Sequence, residues 1–176
     1  MKSFFNRVQT FTKAANDTPQ APVKMSLEAW NFLKKMIQDE ISEVDKAFED
    51  YHDVINNDPT DQEYTAALEA LMVEQADVFI DIAYYCFDAG AKVGYDLDPL
   101  IDIVCNANLS KLKDGKVIKD IDPKSPRFGK VLKPADWKDP MPLIASEIRK
   151  QTKKGFSATN FSFDPNAKIS DIIKPT

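Results

Sequence analysis

Two pairs of acidic residues are the part of this sequence whose types and spacing could carry out chemistry. Glu40 and Glu43 stand three positions apart, and Glu74 and Asp77 repeat that spacing further along the chain. Residues at i and i+3 lie on one face of a helix, so each pair can converge on a single cation. Carboxylate oxygens are ligands that Mg²⁺ prefers. A single pair of this kind occurs on many solvated helices, and the argument rests on having both.

The second pair opens an apolar stretch, residues 74–88, which predicts a helix buried nearly all round. Asp81 and Asp88 fall on the same stripe as Glu74 and Asp77. Removing carboxylates from water costs several kcal/mol unless positive charge meets them, and the lone His52 cannot supply it. We expect a bound divalent cation, and the alternative is a set of structural salt bridges to Lys or Arg on other helices.

Apolar periodicity and capping residues predict an all-α fold, a helical bundle of four to five helices with a Pro-rich, mostly irregular C-terminal arm. The predicted helices cover residues 3–15, 26–55, 61–89, 98 to before 115, and 143–154, with one small hairpin around Gly115. We expect one all-α domain over residues 1–142. Residues 143–176 are expected to be a C-terminal helix and arm packing on the body or on a partner subunit.

The short connection between the second and third helices predicts antiparallel neighbours, which places the two acidic pairs on facing helices. A Mg²⁺ ion held by acids needs further oxygen ligands, and substrate phosphates supply them. Positive groups are then required opposite the metal. The candidates are Lys111, Arg127, Lys130 and Lys133. The chemistry that fits is metal-assisted attack of water on a polyphosphate.

Amino-acid composition limits the classes of partner that the chain is expected to bind. The chain has 43% hydrophobic residues and a net charge of −5, which argues against a nucleic-acid binder that works by neutralising phosphates. No apolar run approaches a membrane span, and the N-terminus lacks the apolar core of a signal peptide. Cys86 and Cys105 have no metal-ligand spacing and are expected to be reduced core thiols. We therefore expect a cytoplasmic protein with no membrane or nucleic-acid partner.

The motifs together resemble a known family. Glu40-Ile-Ser-Glu43 followed by Glu74-Gln-Ala-Asp77 is similar to the E-x-x-E and E-x-x-D signature of the all-α nucleoside triphosphate pyrophosphohydrolases, which include MazG-like proteins, phosphoribosyl-ATP pyrophosphohydrolase and dimeric dUTPases. Asn108-Leu-Ser-Lys111 resembles the family's Asn-x-x-Lys. The segment 129–134, with Trp137 and Pro140 behind it, resembles the closing segment of a phosphoribosyl-ATP pyrophosphohydrolase-like subset of phages and bacteria.

The resemblance implies a role for each matched residue. Glu40, Glu43, Glu74 and Asp77 would hold Mg²⁺, with Mn²⁺ as a substitute, and Glu40 or Glu43 would help deprotonate the attacking water. The implied substrate-binding residues are Asn108, Lys111, Asp81, Arg127, Lys130 and Lys133. The implied reaction converts a (deoxy)nucleoside triphosphate to its monophosphate and pyrophosphate, for nucleotide-pool control or cleaning. Family members are dimers or tetramers, and a phage-encoded chain would act in the host cytoplasm.

Two alternative functions stay open at this point, and the identity of the nucleotide base is open as well. A carboxylate-bridged di-iron bundle needs Glu-x-x-His pairs, and the single His52 cannot form two of them. A non-catalytic helical interaction module, with a structural acidic stripe that forms intersubunit salt bridges, predicts that metal has no effect on thermal stability. Pyrimidine and purine nucleotides, damaged bases and phosphoribosyl-ATP are all compatible with the motifs.

Overall fold

The structure, a computed structural model, describes residues 3–155 and places five α-helices and a two-stranded sheet in them. The helices are α1 Phe4–Ala15, α2 Leu27–Ile55, α3 Asp61–Lys92, α4 Asp98–Leu109 and α5 Met141–Gly155, and the strands are β1 Leu112–Lys113 and β2 Lys116–Val117. The predicted all-α class is confirmed. The arm predicted after α5 lies outside the described residues.

Hydroxyl side chains begin the first three helices. Ser3 and Ser26 each accept a hydrogen bond, 3.0 Å long, from the N–H three positions further on. Thr60 and Glu63 form a reciprocal capping box at the start of α3. These caps satisfy N–H groups that the first turn of a helix leaves without a backbone partner. The helix starts predicted at Ser3 and Ser26 are confirmed.

Helices α2 and α3 form an antiparallel pair joined by the turn at residues 56–60. Next to that turn, the ring centroids of Tyr51 and Tyr64 lie 6.2 Å apart. At the other end of the pair, Tyr85 of α3 donates a hydrogen bond to Glu40 of α2. The predicted antiparallel pairing is therefore confirmed, and it brings both acidic motifs onto one helical hairpin.

Helix α1 packs across the C-terminal part of α3 and closes the core. The rings of Phe4 and Phe5 lie 5.3 and 6.0 Å from that of Phe87. The hydroxyl of Thr12, which is fully buried, donates to Asp88 at 2.7 Å. The buried residues of the described chain are Phe5, Val8, Thr12, Ala21, Glu40, Leu71, Val78 and Ala91.

Gly94 makes the turn between α3 and α4. Its φ is +80°, and a Cβ at this position would lie 2.5 Å from the carbonyl oxygen of Ala21. Only glycine fits both the left-handed conformation and the close backbone approach. The same loop is held by the N–H of Val23, which donates to the carbonyl oxygen of Val93 at 2.9 Å.

The end predicted for α3, just before Gly90, is wrong. The sequence places Gly90 in a loop, whereas the helix continues through it to Lys92. A Cβ on Gly90 would lie 2.6 Å from a methyl carbon of Leu97, so the missing side chain makes room for the chain returning into α4. This glycine is explained by a tertiary contact and not by a helix end.

Helix α4 is fastened at its start to α1 and α5. The side chains of Ser3 and Asn6 both donate to Asp98, at 2.6 and 2.7 Å. The amide of Gln151 on α5 donates to the carbonyl of Asp96 and accepts its N–H. The helix predicted at residues 143–154 is thus confirmed as α5, which packs against α4.

The hairpin predicted around Gly115 is present. Asp114 and Gly115 have φ of +53° and +74°, the left-handed pair of a two-residue hairpin turn between β1 and β2. Between β2 and α5, residues 118–140 are mostly irregular, apart from an antiparallel bridge between Lys119 and Val131.

Parts of α3 and α4 are more exposed than predicted. The side chains of Phe79 and Ile80 are 71% and 59% exposed, so the acidic stretch of α3 is buried on one side only. Cys86 and Cys105 are exposed as well, and their prediction as core thiols is wrong. The described residues supply too few neighbouring helices to cover these faces. None of the described helices is long and apolar enough to cross a membrane.

Candidate active site

The acidic residues of α2 and α3 act on one another electrostatically. The pKa of Glu43 is raised, first by the carboxylate of Glu40, then by burial, and then by Glu74 and Asp77 across the helix pair. Charges affect one another in this way only when they are close, because solvent screens longer distances. The helical hairpin therefore brings Glu40, Glu74 and Asp77 within electrostatic range of Glu43, and we call these four residues the acid cluster.

Glu40 is the most unusual member of the acid cluster. It is 8% exposed and is the one buried residue of α2. The hydroxyl of Tyr85 donates to its Oε1 at 2.8 Å. This hydrogen bond, with burial and the charges of Glu40, Asp81 and Glu43, raises the pKa of Tyr85 to about 12. Tyr85 therefore stays protonated and fixes the Glu40 carboxylate.

Sequence reasoning missed this role of Tyr85. The tyrosine stands four positions after Asp81 and eight after Asp77, so it lies on the acidic stripe of α3. A hydroxyl donor continuing a stripe of carboxylates was the available signal. The partner on α2 could be assigned only once the register of the helix pair was known.

The acid cluster has no cationic side chain against it in the described chain. The ion pairs among residues 3–155 are Lys35–Asp39, Lys46–Asp50, Lys92–Asp88 and Lys150–Glu147. None of them includes a residue of the acid cluster or Asp81. Asp88, predicted on the same stripe, instead pairs with Lys92 and accepts from Thr12. Salt bridges among residues 3–155 therefore do not explain the acid cluster.

The acid cluster matches a divalent cation in donor type and in charge. Its oxygens are the ligands that Mg²⁺ and Mn²⁺ take, and its like charges leave an unbalanced negative potential. Within the described part of the chain, no three Asp, Glu, His or Cys side chains are already arranged around one metal position. Binding a cation would require the exposed side chains of Glu43 and Asp77 to turn toward the fixed Glu40.

A cavity of about 630 Å³ opens beside the acid cluster, between α1, α2 and α3. Tyr85 lines this cavity and also holds Glu40, so the two features share a side chain. The lining includes the aromatic rings of Phe11, Phe32 and Tyr84. A mostly apolar cavity of this size next to perturbed ionisable groups is typical of a small-molecule site.

Asn108 and Lys111 lie at the end of α4 and contact each other. The ammonium of Lys111 donates to the Oδ1 of Asn108 at 2.6 Å. Lys133, from the loop beyond the hairpin, approaches the same place, because its ammonium and that of Lys111 both lie near the ring of Trp137. No hydrogen bond or ion pair among residues 3–155 joins these residues to the acid cluster.

Arg127 and Lys130 are exposed in the loop that follows the hairpin. The pKa of Asp120 is lowered mainly by the hydroxyl of Ser125, with a smaller effect of the Arg127 charge. Arg127 therefore lies near a carboxylate of its own loop. The predicted role of Arg127 and Lys130 in binding phosphate stays a prediction.

Comparison with protein-family models and with curated proteins finds no match to this chain. The resemblance of its motifs to the all-α pyrophosphohydrolases stays a prediction. The features that bear on function are the acid cluster, the adjacent cavity, and Lys111 and Lys133 at the ring of Trp137.

Proposed function

We propose that this protein is a Mg²⁺-dependent nucleotide pyrophosphohydrolase, which converts a (deoxy)nucleoside triphosphate to its monophosphate and pyrophosphate. The observation that carries the proposal is the acid cluster. Glu40, Glu74 and Asp77 raise the pKa of Glu43, and none of these four carboxylates has an ion-pair partner among the described residues. Mg²⁺ bound there would polarise the phosphates and lower the pKa of the attacking water.

Within the acid cluster we assign different tasks to the two glutamates of α2. Glu40 is fixed by Tyr85 and serves as an ordered ligand. Glu43 is exposed to solvent, so we assign its carboxylate as the acceptor of the proton from water. Water bonds to phosphorus and gives its proton to Glu43. The P–O bond between the α- and β-phosphates breaks, and pyrophosphate leaves.

We place the base in the cavity beside Tyr85 and the phosphates against Asn108 and Lys111, with Asp81 on the sugar side. In the proposal, Arg127, Lys130 and Lys133 add positive charge around the phosphates. The exposed apolar residues of α3 favour a homo-oligomer, a dimer or tetramer, in which a second copy brings the lysine end of α4 to the acid cluster.

The test is chromatography of the products after incubation with Mg²⁺ and each common NTP and dNTP. We expect a monophosphate to appear without a diphosphate intermediate. Asp77→Asn should lower the rate by at least about 100-fold, because it removes a ligand of the ion that stabilises the transition state. The matched control is Asp50→Asn, an exposed acid of α2 that pairs with Lys46.

Two results would overturn the proposal. Diphosphate appearing first would mean cleavage at the terminal phosphate. Absence of turnover with every nucleotide, together with no stabilisation by Mg²⁺, would favour the interaction module, in which the acid cluster pairs with basic residues of another subunit.

A further inference from the structure

Trp137 is anchored to the end of α4 by its indole. Its Nε1 donates to the carbonyl oxygen of Ala107 at 2.8 Å. Carbonyls in the last turn of a helix have no backbone partner within the helix, and this one accepts from the Ser110 hydroxyl at 2.9 Å as well as from the indole. The backbone N–H of Trp137 also donates to Pro134 at 3.0 Å, which closes a tight turn. The indole is thus oriented by its hydrogen bond to α4, and its backbone by the turn.

Two lysine ammonium groups lie against this one ring. The Nζ of Lys133 is 3.7 Å from the ring centroid, and the Nζ of Lys111 is 5.7 Å from it. Both distances fall within the range of a cation–π contact, for which tryptophan is the strongest partner. The ring therefore brings together one lysine from the end of α4 and one from a loop that is distant in sequence.

Neither lysine is neutralised within the described chain. The ion pairs of residues 3–155 involve neither Lys111 nor Lys133. Lys111 is instead oriented by the Oδ1 of Asn108, which leaves the amide donors of Asn108 available. Two ammonium groups near one ring repel each other, so an anion with several charges that contacts both of them would be bound favourably.

We infer that Trp137 is a positioning residue, which holds Lys111 and Lys133 as a clamp for a polyphosphate chain. The inference rests on the proposed function for the identity of the natural ligand, a nucleoside triphosphate. The geometry itself requires only the polyphosphate. The clamp contributes to binding and not to the chemical step, because it lies on phosphate oxygens and apart from the acid cluster.

The experiment uses the fluorescence of Trp137 and inorganic tripolyphosphate as the probe, without Mg²⁺ or nucleotide. The chain has two tryptophans, so Trp30→Phe leaves Trp137 as the only indole. In this variant we expect a saturable change in emission, because tripolyphosphate bound to Lys111 and Lys133 changes the charge next to the indole. Calorimetry on the unmodified protein should give the same Kd.

Lysine variants made in the Trp30→Phe protein distinguish binding at the clamp from non-specific attraction to positive charge. Lys111→Met and Lys133→Met keep the apolar stem and remove the ammonium, and each should weaken tripolyphosphate about tenfold. Lys138→Met is the matched control in the same loop and should change the Kd less than twofold. Trp137→Phe, followed by calorimetry in the wild-type chain, should also weaken binding about tenfold, because phenylalanine cannot donate to Ala107.

The outcomes distinguish this inference from the proposed function. Tripolyphosphate binding that depends on Trp137, in a protein that hydrolyses no nucleotide, would support the clamp and overturn only the reaction. Nucleotide hydrolysis with unchanged binding in Trp137→Phe would overturn the clamp and leave the reaction. Equal weakening by Lys138→Met and Lys133→Met, or no emission change at saturation, would also overturn it. If turnover is found, Trp137→Phe should raise KM and leave kcat near its wild-type value.

Discussion

Glu40 is a charged residue in a place where the chain could have put an apolar one. It is the one buried residue of α2, while Trp30, Ile41 and Phe48 of the same helix are 41–50% exposed. Burial disfavours a charged carboxylate, and the hydrogen bond from Tyr85 offsets only part of that cost. A carboxylate that is buried at a net cost in stability is expected at functional sites.

The first prediction concerns Tyr85. Tyr85→Phe removes the donor that orients Glu40, and groups that orient metal ligands typically change metal affinity 10–100-fold. We expect Mn²⁺ affinity, measured by calorimetry, to fall about tenfold. Tyr84→Phe is the matched control, since its hydroxyl makes no hydrogen bond within residues 3–155 while its ring lines the same cavity. Equal loss in both variants would contradict an ordering role for Tyr85.

The second prediction concerns the pH dependence of Glu43. Its pKa in the folded chain lies above the ordinary value of 4.5, so the folded state holds this proton more tightly than the unfolded state does. Its contribution to stability therefore falls as pH rises through the window just above 4.5. In EDTA, Glu43→Gln should be more stable than wild type at pH 7, and this advantage should shrink toward pH 4.

The measurement is Tm against pH for wild type, Glu43→Gln and the control Glu69→Gln, an exposed residue of α3. Addition of Mg²⁺ at pH 7 should reverse the order, because wild type then binds the ion more tightly than Glu43→Gln. The Tm gain of Glu43→Gln over wild type could instead be the same at every pH, or Glu69→Gln could show an equal gain. Either result would show that the other acids do not raise the pKa of Glu43.

At the scale of the elements, local signals were readable from the sequence and contacts between elements were not. Ser3 and Ser26 could be predicted as helix caps because their hydrogen bonds reach only three positions along the chain. The spacing of the acidic pairs fixed their helix faces for the same reason. The prediction that Gly90 lies in a loop was wrong, because a glycine is needed there to make room for Leu97. No local sequence pattern encodes that contact.

The candidate site also has parts that the sequence could predict and parts that it could not. The four acids were predicted together, since short connections make consecutive helices neighbours. The hydrogen bond from Tyr85 to Glu40 depends on the register of two helices, and the position of Trp137 depends on a loop without periodicity. Neither could be read from residue spacing, and both change what the site is expected to do.

The third prediction uses two glycines with the same backbone conformation. Gly94 and Gly129 have φ of +80° and +77°, but only Gly94 has backbone atoms where a Cβ would lie. Gly129→Ala should cost about 1–2 kcal/mol of unfolding free energy, the strain of the left-handed conformation alone. Gly94→Ala should cost clearly more, because the carbonyl of Ala21 must also move. Urea denaturation of both variants measures the difference, and equal costs would contradict the tight turn.

At the scale of the whole molecule, the apolar surface of α3 is the feature that no contact among residues 3–155 covers. Met72, Val73, Phe79 and Ile80 of α3 are each 59% exposed or more. Contiguous apolar surface of this kind usually marks a protein–protein interface. A stable dimer needs roughly 800 Å² buried on each subunit, and a long helix can supply a large part of it.

The fourth prediction tests that interface. We expect light scattering after size exclusion to show a dimer or tetramer for the wild type. The double variant Phe79→Ser and Ile80→Ser should shift it toward the monomer and weaken association at least tenfold, since it removes two large side chains from the contact. Phe128→Ser is the control, an equally exposed aromatic in the loop near Arg127. A monomeric wild type would contradict a site completed by a second copy.

The central claim is that the acid cluster binds a divalent cation, and direct Mn²⁺ binding tests it without knowledge of the substrate. Electron paramagnetic resonance measures free Mn²⁺ during a titration of wild type, Asp77→Asn and the control Asp50→Asn. We predict saturable binding that Mg²⁺ displaces, preserved in Asp50→Asn and weakened at least tenfold in Asp77→Asn. The same Mn²⁺ binding in all three proteins, or none in the wild type, would contradict the account.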